Sequence, residues 1–348
     1  MFSILRPFIF KLDPEAAHDL AIKSLKYNFL PPELFKVENE EILKTKIFKK
    51  TIKNPIGLAA GFDKSGEVYN SLFKFGFGFI EVGTVTPIKQ YGNKKPRVFR
   101  LENDKALINR LGFNNDGMDS VSERIEKNSP IGFLGVNIGP NKDSEDRIKD
   151  YLKCLNKFHL YADYITINIS SPNTPNLRDF HNVSSLQDLL QTLFEYAKRN
   201  NISKPLVLKV SPDINDNEIN SITDLIMKFK ISGVIISNTT DRNRENLTEK
   251  NKDEIGGLSG EPLNEISNKL ISKFYGILEK KVPIIGVGGV NSGQTAYDKL
   301  KSGASLLQLY TGMVYEGPGI VKKIKEELIQ ILKKNKIKNV SEIVGTGI

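Results

Sequence analysis

From Asn54 onward one unit recurs along the chain: a short apolar run, a polar or glycine-rich loop, then a helical stretch. The apolar runs are residues 55–60, 77–85, 131–138, 164–170, 205–210, 233–239, 283–288 and 306–311. Their length and β-branched content mark them as strands. Strands alternating with helices build a parallel sheet with helices packed outside it. Eight such units in 348 residues predict an α/β fold, a closed (β/α)8 TIM barrel, with a doubly wound open sheet as the alternative. A long insertion breaks the rhythm between residues 85 and 131.

Each strand stays apolar until its last residue or two and then turns polar or to glycine. The ends read Ala60-Gly-Phe-Asp-Lys64, Thr84, Asn137-Ile-Gly139, Asn168, Lys209, Ser237-Asn-Thr239, Gly288-Gly289 and Tyr310-Thr-Gly312. Barrel enzymes build their sites from the loops at this one face, so a site is expected there. The fourth strand is the most informative. Ile165, Ile167 and Ile169 alternate with Thr166, Asn168 and Ser170, and two prolines stiffen the loop Ser171-Pro-Asn-Thr-Pro175. Hydroxyls and carboxamides crowded there suit a small, flat, polar ligand. An ordinary turn would have the same composition.

Glycine-rich stretches follow the last two strands, Ile285-Gly-Val-Gly-Gly-Val290 and Leu309-Tyr-Thr-Gly312. Their backbone N–H groups can approach a phosphate closely, and this is where barrels place one. A dinucleotide fingerprint would need its glycines after the first strand and an acidic partner downstream, which Ala59-Ala-Gly-Phe-Asp63 does not supply. Lys209, between Leu208 and Val210, could stabilise negative charge on a cofactor ring or act as a Schiff-base nucleophile. Lys64 could meet a carboxylate.

The formal charge of +9 would favour an anionic partner, but the lysines are scattered over helical segments. No stretch interleaves basic and stacking aromatic residues, so no nucleic acid is expected as a partner. A single cysteine, Cys154, excludes an internal disulfide, and the three histidines lack metal-ligand spacing, so no metal is expected. No apolar run reaches the roughly eighteen residues needed to span a bilayer. Ahead of the barrel, Asp13-Pro14-Glu15 is a helix start with Asp as N-cap and Pro at the first helical position. Pro31-Pro32 should end that helix, with a second short one near residues 33–35.

Long blocks of the chain resemble dihydroorotate dehydrogenase of the quinone-dependent, membrane-associated class (class 2). They include residues 54–64, 76–87, 96–101, 108–115, 168–175, 237–240, 256–260 and 283–289. The resemblance implies oxidation of dihydroorotate to orotate in pyrimidine synthesis, with FMN as cofactor and a membrane quinone as electron acceptor. FMN would contact Ala60, Gly61, Lys64, Thr84, Asn137, Asn168, Lys209 and Ser237, and its phosphate Gly260, Gly289, Tyr310 and Thr311. Lys64, Asn109, Arg110, Leu111, Gly112, Phe113, Asn168, Asn173, Asn238 and Thr239 would hold the pyrimidine and its carboxylate. Ser171 matches the catalytic base and Thr174 is a candidate proton relay. His18, Arg100 and Tyr310 match a quinone site.

The resemblance also divides the chain into a helical membrane and quinone-tunnel extension, residues 1–45, and an FMN-binding barrel, residues 46–340. Phe2, Leu5, Phe8 and Phe10 would meet the membrane, with Arg6 and Lys11 on anionic lipid. The expectation is a monomer attached peripherally to the cytoplasmic face of the cell membrane. A soluble-acceptor FMN barrel oxidoreductase is the alternative.

Overall fold

The computed structural model describes residues 2–27, 31–37 and 40–348. Eight parallel strands close into a barrel. They are β1 (Ile56–Leu58), β2 (Phe79–Val85), β3 (Phe133–Ile138), β4 (Tyr164–Asn168), β5 (Leu206–Val210), β6 (Gly233–Ile236), β7 (Ile284–Val287) and β8 (Leu306–Leu309). Closure comes where Leu307 of β8 lies opposite Ile56 of β1. The strands coincide with the eight expected runs but are shorter at their ends. The last stops at Leu309, because Thr311 opens a short helix, Thr311–Glu316.

Alternation along β4 sorts its side chains between two environments. Ile165 and Ile167, with Ile169 just beyond the strand, join the apolar layer between barrel and helices. Leu186, Leu189, Leu190 and Leu193 of helix Val183–Arg199 reach the same layer. Spaced at three and four residues, those leucines form one stripe. Burying each contributes about 1.5–3 kcal/mol. Thr166 and Asn168 turn into the barrel instead, where they hydrogen-bond. Cys154 is fully buried in helix Arg147–Phe158, and burial pushes its thiol pKa up.

The N-terminal end of the barrel is plugged by a hairpin absent from the sequence reading, Thr45–Ile47 paired with Lys50–Ile52. Its Phe48 ring lies 5.8 Å from Tyr164 and 6.4 Å from Phe133. The opposite end is partly roofed by the long insertion, whose strands Val98–Leu101 and Ala106–Asn109 pair antiparallel. The second of them also pairs with Gly257–Gly260, giving a three-stranded sheet over the mouth.

Among the described residues two α-helices precede the barrel, α1 (Phe2–Ile9) and α2 (Pro14–Lys26), followed by short 3₁₀ helices at Pro32–Phe35, where a second short helix was expected, and Glu40–Leu43. The Asp13 side chain caps α2 by accepting from the N–H groups of Glu15 and Ala16. α2 ends at Lys26; of the segment leading to Pro31-Pro32, residues 28–30 lie outside the described residues. α1 has no counterpart in the sequence reading, and it runs through Pro7. Leu5 and Phe8 are exposed, whereas Phe10 packs edge-on against Tyr315 at 5.6 Å. Arg6 faces the barrel too, donating to the Tyr315 carbonyl at 3.2 Å. No helix among the described residues is long and apolar enough to cross a membrane.

Candidate active site

The C-terminal ends of the strands open into a cleft of about 1150 Å³, part of it open to solvent. Most of the residues singled out from sequence line it. From the strand ends come Ala60, Gly61, Lys64, Thr84, Asn168, Lys209, Ser237, Asn238, Thr239, Gly289, Tyr310 and Thr311. The loop after β4 adds Ser171 and Asn173. The roof adds Asn109, Leu111, Gly112, Phe113 and Gly260. Five expected residues lie elsewhere, one of them Thr174, buried within the loop after β4. Asn137 is one layer below, behind Thr84 and Asn168. Arg110 turns away: it pairs with Glu254 at 2.7 Å, donates to the Ile255 and Pro96 carbonyls and lies over the Phe99 ring. His18 and Arg100 belong to the contact between the extension and the barrel rather than to the cleft wall.

Glu81 anchors the floor, and the sequence reading missed it. Its only signal was a charge inside the apolar run Phe79–Val85. The carboxylate is fully buried and accepts four hydrogen bonds. The donors are Asn137 Nδ2 at 2.8 Å, Tyr164 Oη at 2.9 Å, Thr166 Oγ1 at 3.1 Å and Gln308 Nε2 at 3.0 Å. Because Asn137 spends its amide N–H on Glu81, its oxygen faces upward and accepts from Thr84 Oγ1 at 2.6 Å and Asn168 Nδ2 at 3.1 Å. Asn168 Oδ1 then accepts from Ser170 Oγ at 2.7 Å, and Asn238 Nδ2 donates to that same hydroxyl at 2.9 Å. One buried charge thus orients the polar groups up to the loops. Lys209 sits in the same layer; burial lowers its pKa and the Glu81 carboxylate opposes the shift.

The serine loop lies over this floor. Ser171 is nearly buried, and its Oγ accepts from the Asn173 N–H at 3.2 Å. Asn173 Nδ2 donates to the Asn109 carbonyl at 3.0 Å, and Arg147 Nη2 to the Pro175 carbonyl at 2.7 Å. The buried Thr174 Oγ1 has no hydrogen-bond partner among the described residues.

At the opposite edge, Lys64 Nζ lies 3.5 Å from His18 Nε2. Burial lowers Lys64 to about 8, against the opposing carboxylates of Glu15 and Asp19. Burial, aided by the Lys64 charge, holds His18 down to about 3, so its imidazole is neutral. The His18, Phe62 and Tyr310 rings follow one another at 5.0 and 5.9 Å, a line from α2 to the cleft. Arg100 lies over the Phe10 ring at 4.6 Å and donates to the Phe10 and Leu12 carbonyls.

The end near β7 and β8 is built to receive an anion. The N–H groups of Gly289, Val290, Thr311 and Gly312 make no backbone hydrogen bond among the described residues. Gly289 has φ +72°, and a Cβ there would stand 2.5 Å from the Asn264 side chain, so only glycine fits. Ser259, another residue the sequence reading missed, places its Oγ 2.8 Å from Thr311 Oγ1. Among the described residues no acidic side chain lines the cleft, while Lys64 and Lys209 do. Apolar Ala59, Leu107, Leu263, Val287 and Leu309 complete the wall. Unpaired N–H groups at one end, two lysines and apolar faces between them fit a phosphate-bearing flat ring such as FMN. No group of three or more His, Cys, Asp or Glu that could hold a metal occurs among the described residues.

A family model described as dihydroorotate dehydrogenase matches residues 42–332. The dihydroorotate dehydrogenase (quinone) of Idiomarina loihiensis is 46% identical over 335 residues, covering 94% of this chain and 100% of that protein. The protein of the same name from Bartonella tribocorum is 46% identical, covering 97% of this chain and 94% of the relative. Among solved structures, ligand-free DHODH from Eimeria tenella superposes with a TM-score of 0.91 at 37% identity, covering 96% of this chain and 99% of that one. Cleft, barrel and near full-length similarity agree: the chain belongs to the dihydroorotate dehydrogenase family of oxidoreductases.

Proposed function

We propose that this chain oxidises (S)-dihydroorotate to orotate in pyrimidine synthesis, with FMN as its bound cofactor and a membrane quinone as final acceptor. The observation that carries this reading is the convergence of Ser171, Lys64 and Lys209 on one cleft without a lining carboxylate among the described residues. FMN, when bound, supplies the two-electron acceptor for the hydride that leaves C6 of the substrate. Lys209 and the hydroxyls of Thr84 and Ser237 meet its ring system. The N–H groups of Gly289, Val290, Thr311 and Gly312 meet its phosphate.

Lys64 holds the substrate carboxylate, and Asn109, Asn173 and Asn238 hold the pyrimidine amide groups. Arg110 contributes through its backbone only, since its side chain is engaged elsewhere. Ser171 takes the proton from C5. A serine hydroxyl is a poor base near neutral pH, so it must pass its own proton onward as hydride departure makes C5 acidic. The unpartnered Thr174 hydroxyl is the relay candidate in the same loop.

The extension, residues 1–45, serves the second half-reaction, and residues 46–340 the first. Exposed Ile4, Leu5, Phe8, Leu12 and Leu20 rest on an anionic membrane surface at the cytoplasmic face. Quinone docks near His18, Arg100 and Tyr310, along the ring line that leads from α2 to the cleft. The protein acts as a monomer.

The value for Lys64 sets a pH dependence. Below about pH 8 its ammonium is charged and attracts the carboxylate; above that it loses the proton and the attraction. Orotate affinity is therefore expected to fall as pH rises through about 8, approaching tenfold per unit, read from the shift in flavin absorbance. Affinity constant to about pH 10 would remove Lys64 from that role. The function itself is tested by supplying dihydroorotate and a short-chain quinone to the purified protein. Orotate and quinol should appear one for one. Flavin reduction without quinol would transfer the assignment to a soluble acceptor.

A further inference from the structure

Arg178 stands outside the cleft, on the short helix Leu177–His181 that follows the serine loop. Its guanidinium reaches three neighbouring loops. Nε donates to the Ser170 carbonyl at 3.4 Å, at the base of the serine loop. Nη2 pairs with Asp213 at 3.0 Å, on the loop after β5. Nη2 also donates to the Thr239 carbonyl at 3.2 Å, and Nη1 to Asp241 at 3.1 Å, both on the loop after β6. Asp213 is nearly buried and is bound to the β6 loop as well, accepting from the Thr240 hydroxyl and, at 3.3 Å, from the Asp241 N–H. Asn238 Nδ2, donating to the Ser170 hydroxyl at 2.9 Å, also reaches that base from the β6 loop, whereas the ties to Asn109, Asn93 and Arg147 run toward the insertion and helix Arg147–Phe158. Arg178 draws the base of that loop toward β6.

We infer that Arg178 is a positioning residue for proton removal: it sets the separation between the Ser171 hydroxyl and the Asn238–Thr239 pair that grips the substrate. This rests on the function proposed for the same cleft. A planar fork of five donors suits the task, because it fixes the direction of each bond as well as its length. Lysine keeps the charge but offers a point rather than a fork. The reacting atoms must meet within a few tenths of an ångström, and a misplacement of about 1 Å can cost on the order of 10²-fold in rate. Lys64 and Asn109, neither of them bonded to Arg178, also grip the substrate, so its affinity should depend less on Arg178 than the rate does.

The test uses the full-length, flavin-loaded protein with Arg178→Lys and Arg178→Ala. Anaerobic rapid mixing with dihydroorotate gives the limiting rate of flavin reduction per bound flavin. Amide hydrogen exchange without substrate reads the loops independently of turnover. The expected result is a fall of roughly tenfold in Arg178→Lys and roughly 10²-fold in Arg178→Ala, with half-saturation changing less than about threefold. Exchange should quicken at residues 170–176 and 238–241 and stay unchanged in the barrel strands. A rate per bound flavin within about twofold of wild type, or exchange that quickens throughout the barrel, would overturn the inference. Should Arg178→Ala not fold, Arg178→Lys decides by the same criteria. Should the wild-type flavin not respond to dihydroorotate, the proposed function fails instead, and the exchange pattern alone decides whether Arg178 clamps the loops.

Discussion

Replacing Ser171 by alanine should slow flavin reduction by dihydroorotate by about 10²–10⁴-fold while leaving the flavin bound. The reason lies in how the loop is held. Its backbone is fixed by Asn173 on the Asn109 carbonyl, by Arg147 on the Pro175 carbonyl and by Arg178 on the Ser170 carbonyl, none of which uses the Ser171 side chain. Among the described residues the one hydrogen bond to Ser171 Oγ is a local turn with the Asn173 N–H. Alanine therefore removes the proton acceptor and disturbs little else. Stopped-flow absorbance after anaerobic mixing reads the rate directly. Reduction at a near-wild-type rate would show that another group takes the proton.

The second large effect is expected at Lys209. Substituting alanine removes the cation from the cleft floor and leaves the buried Glu81 carboxylate without its neighbouring positive charge. Loss of one charged partner at a buried site costs roughly 2–5 kcal/mol of binding, on the order of 30-fold to several thousand-fold weaker retention of flavin. The protein should emerge largely colourless and take up FMN only at high concentration. Destabilisation of the fold would give the same colour for a different reason, since an uncompensated buried charge costs about 3–5 kcal/mol. The thermal stability of the flavin-free protein separates the two. Lys209→Ala should melt close to flavin-free wild type while flavin retention stays poor. Full flavin occupancy in Lys209→Ala would place the lysine outside the cofactor contact.

The strands were legible because each is buried on both faces, so composition alone marks runs such as Phe133–Ile138, where Leu134, Val136 and Ile138 are fully buried. The cleft was legible for a related reason. Thr84, Asn168, Lys209 and Ser237 break those runs at one end only, and the fold gathers those ends in one place. What stayed hidden depends on pairing over long sequence separations. Gly257–Gly260 looks like a glycine-rich loop, and it becomes a strand only because Asn109 lies opposite Gly257. The plug hairpin at Thr45–Ile52 is short and lysine-rich, with nothing local to announce that Phe48 fills the barrel floor. Arg110 and Arg178 invert the expectation. The first sits among cleft residues in sequence but points away, and the second carries no motif yet binds three loops. Side-chain direction at a loop is set by partners that the local sequence does not name.

The proposed function requires one cleft to bring together a flavin, dihydroorotate and the Ser171 hydroxyl. Its most direct test is the absorbance spectrum of the purified full-length protein, recorded without oxygen before and after dihydroorotate is added. A yellow protein whose flavin band bleaches within the mixing experiment, with orotate formed in equal amount, is the expected result. A protein that binds no flavin, or whose flavin band is unchanged by dihydroorotate, would contradict it.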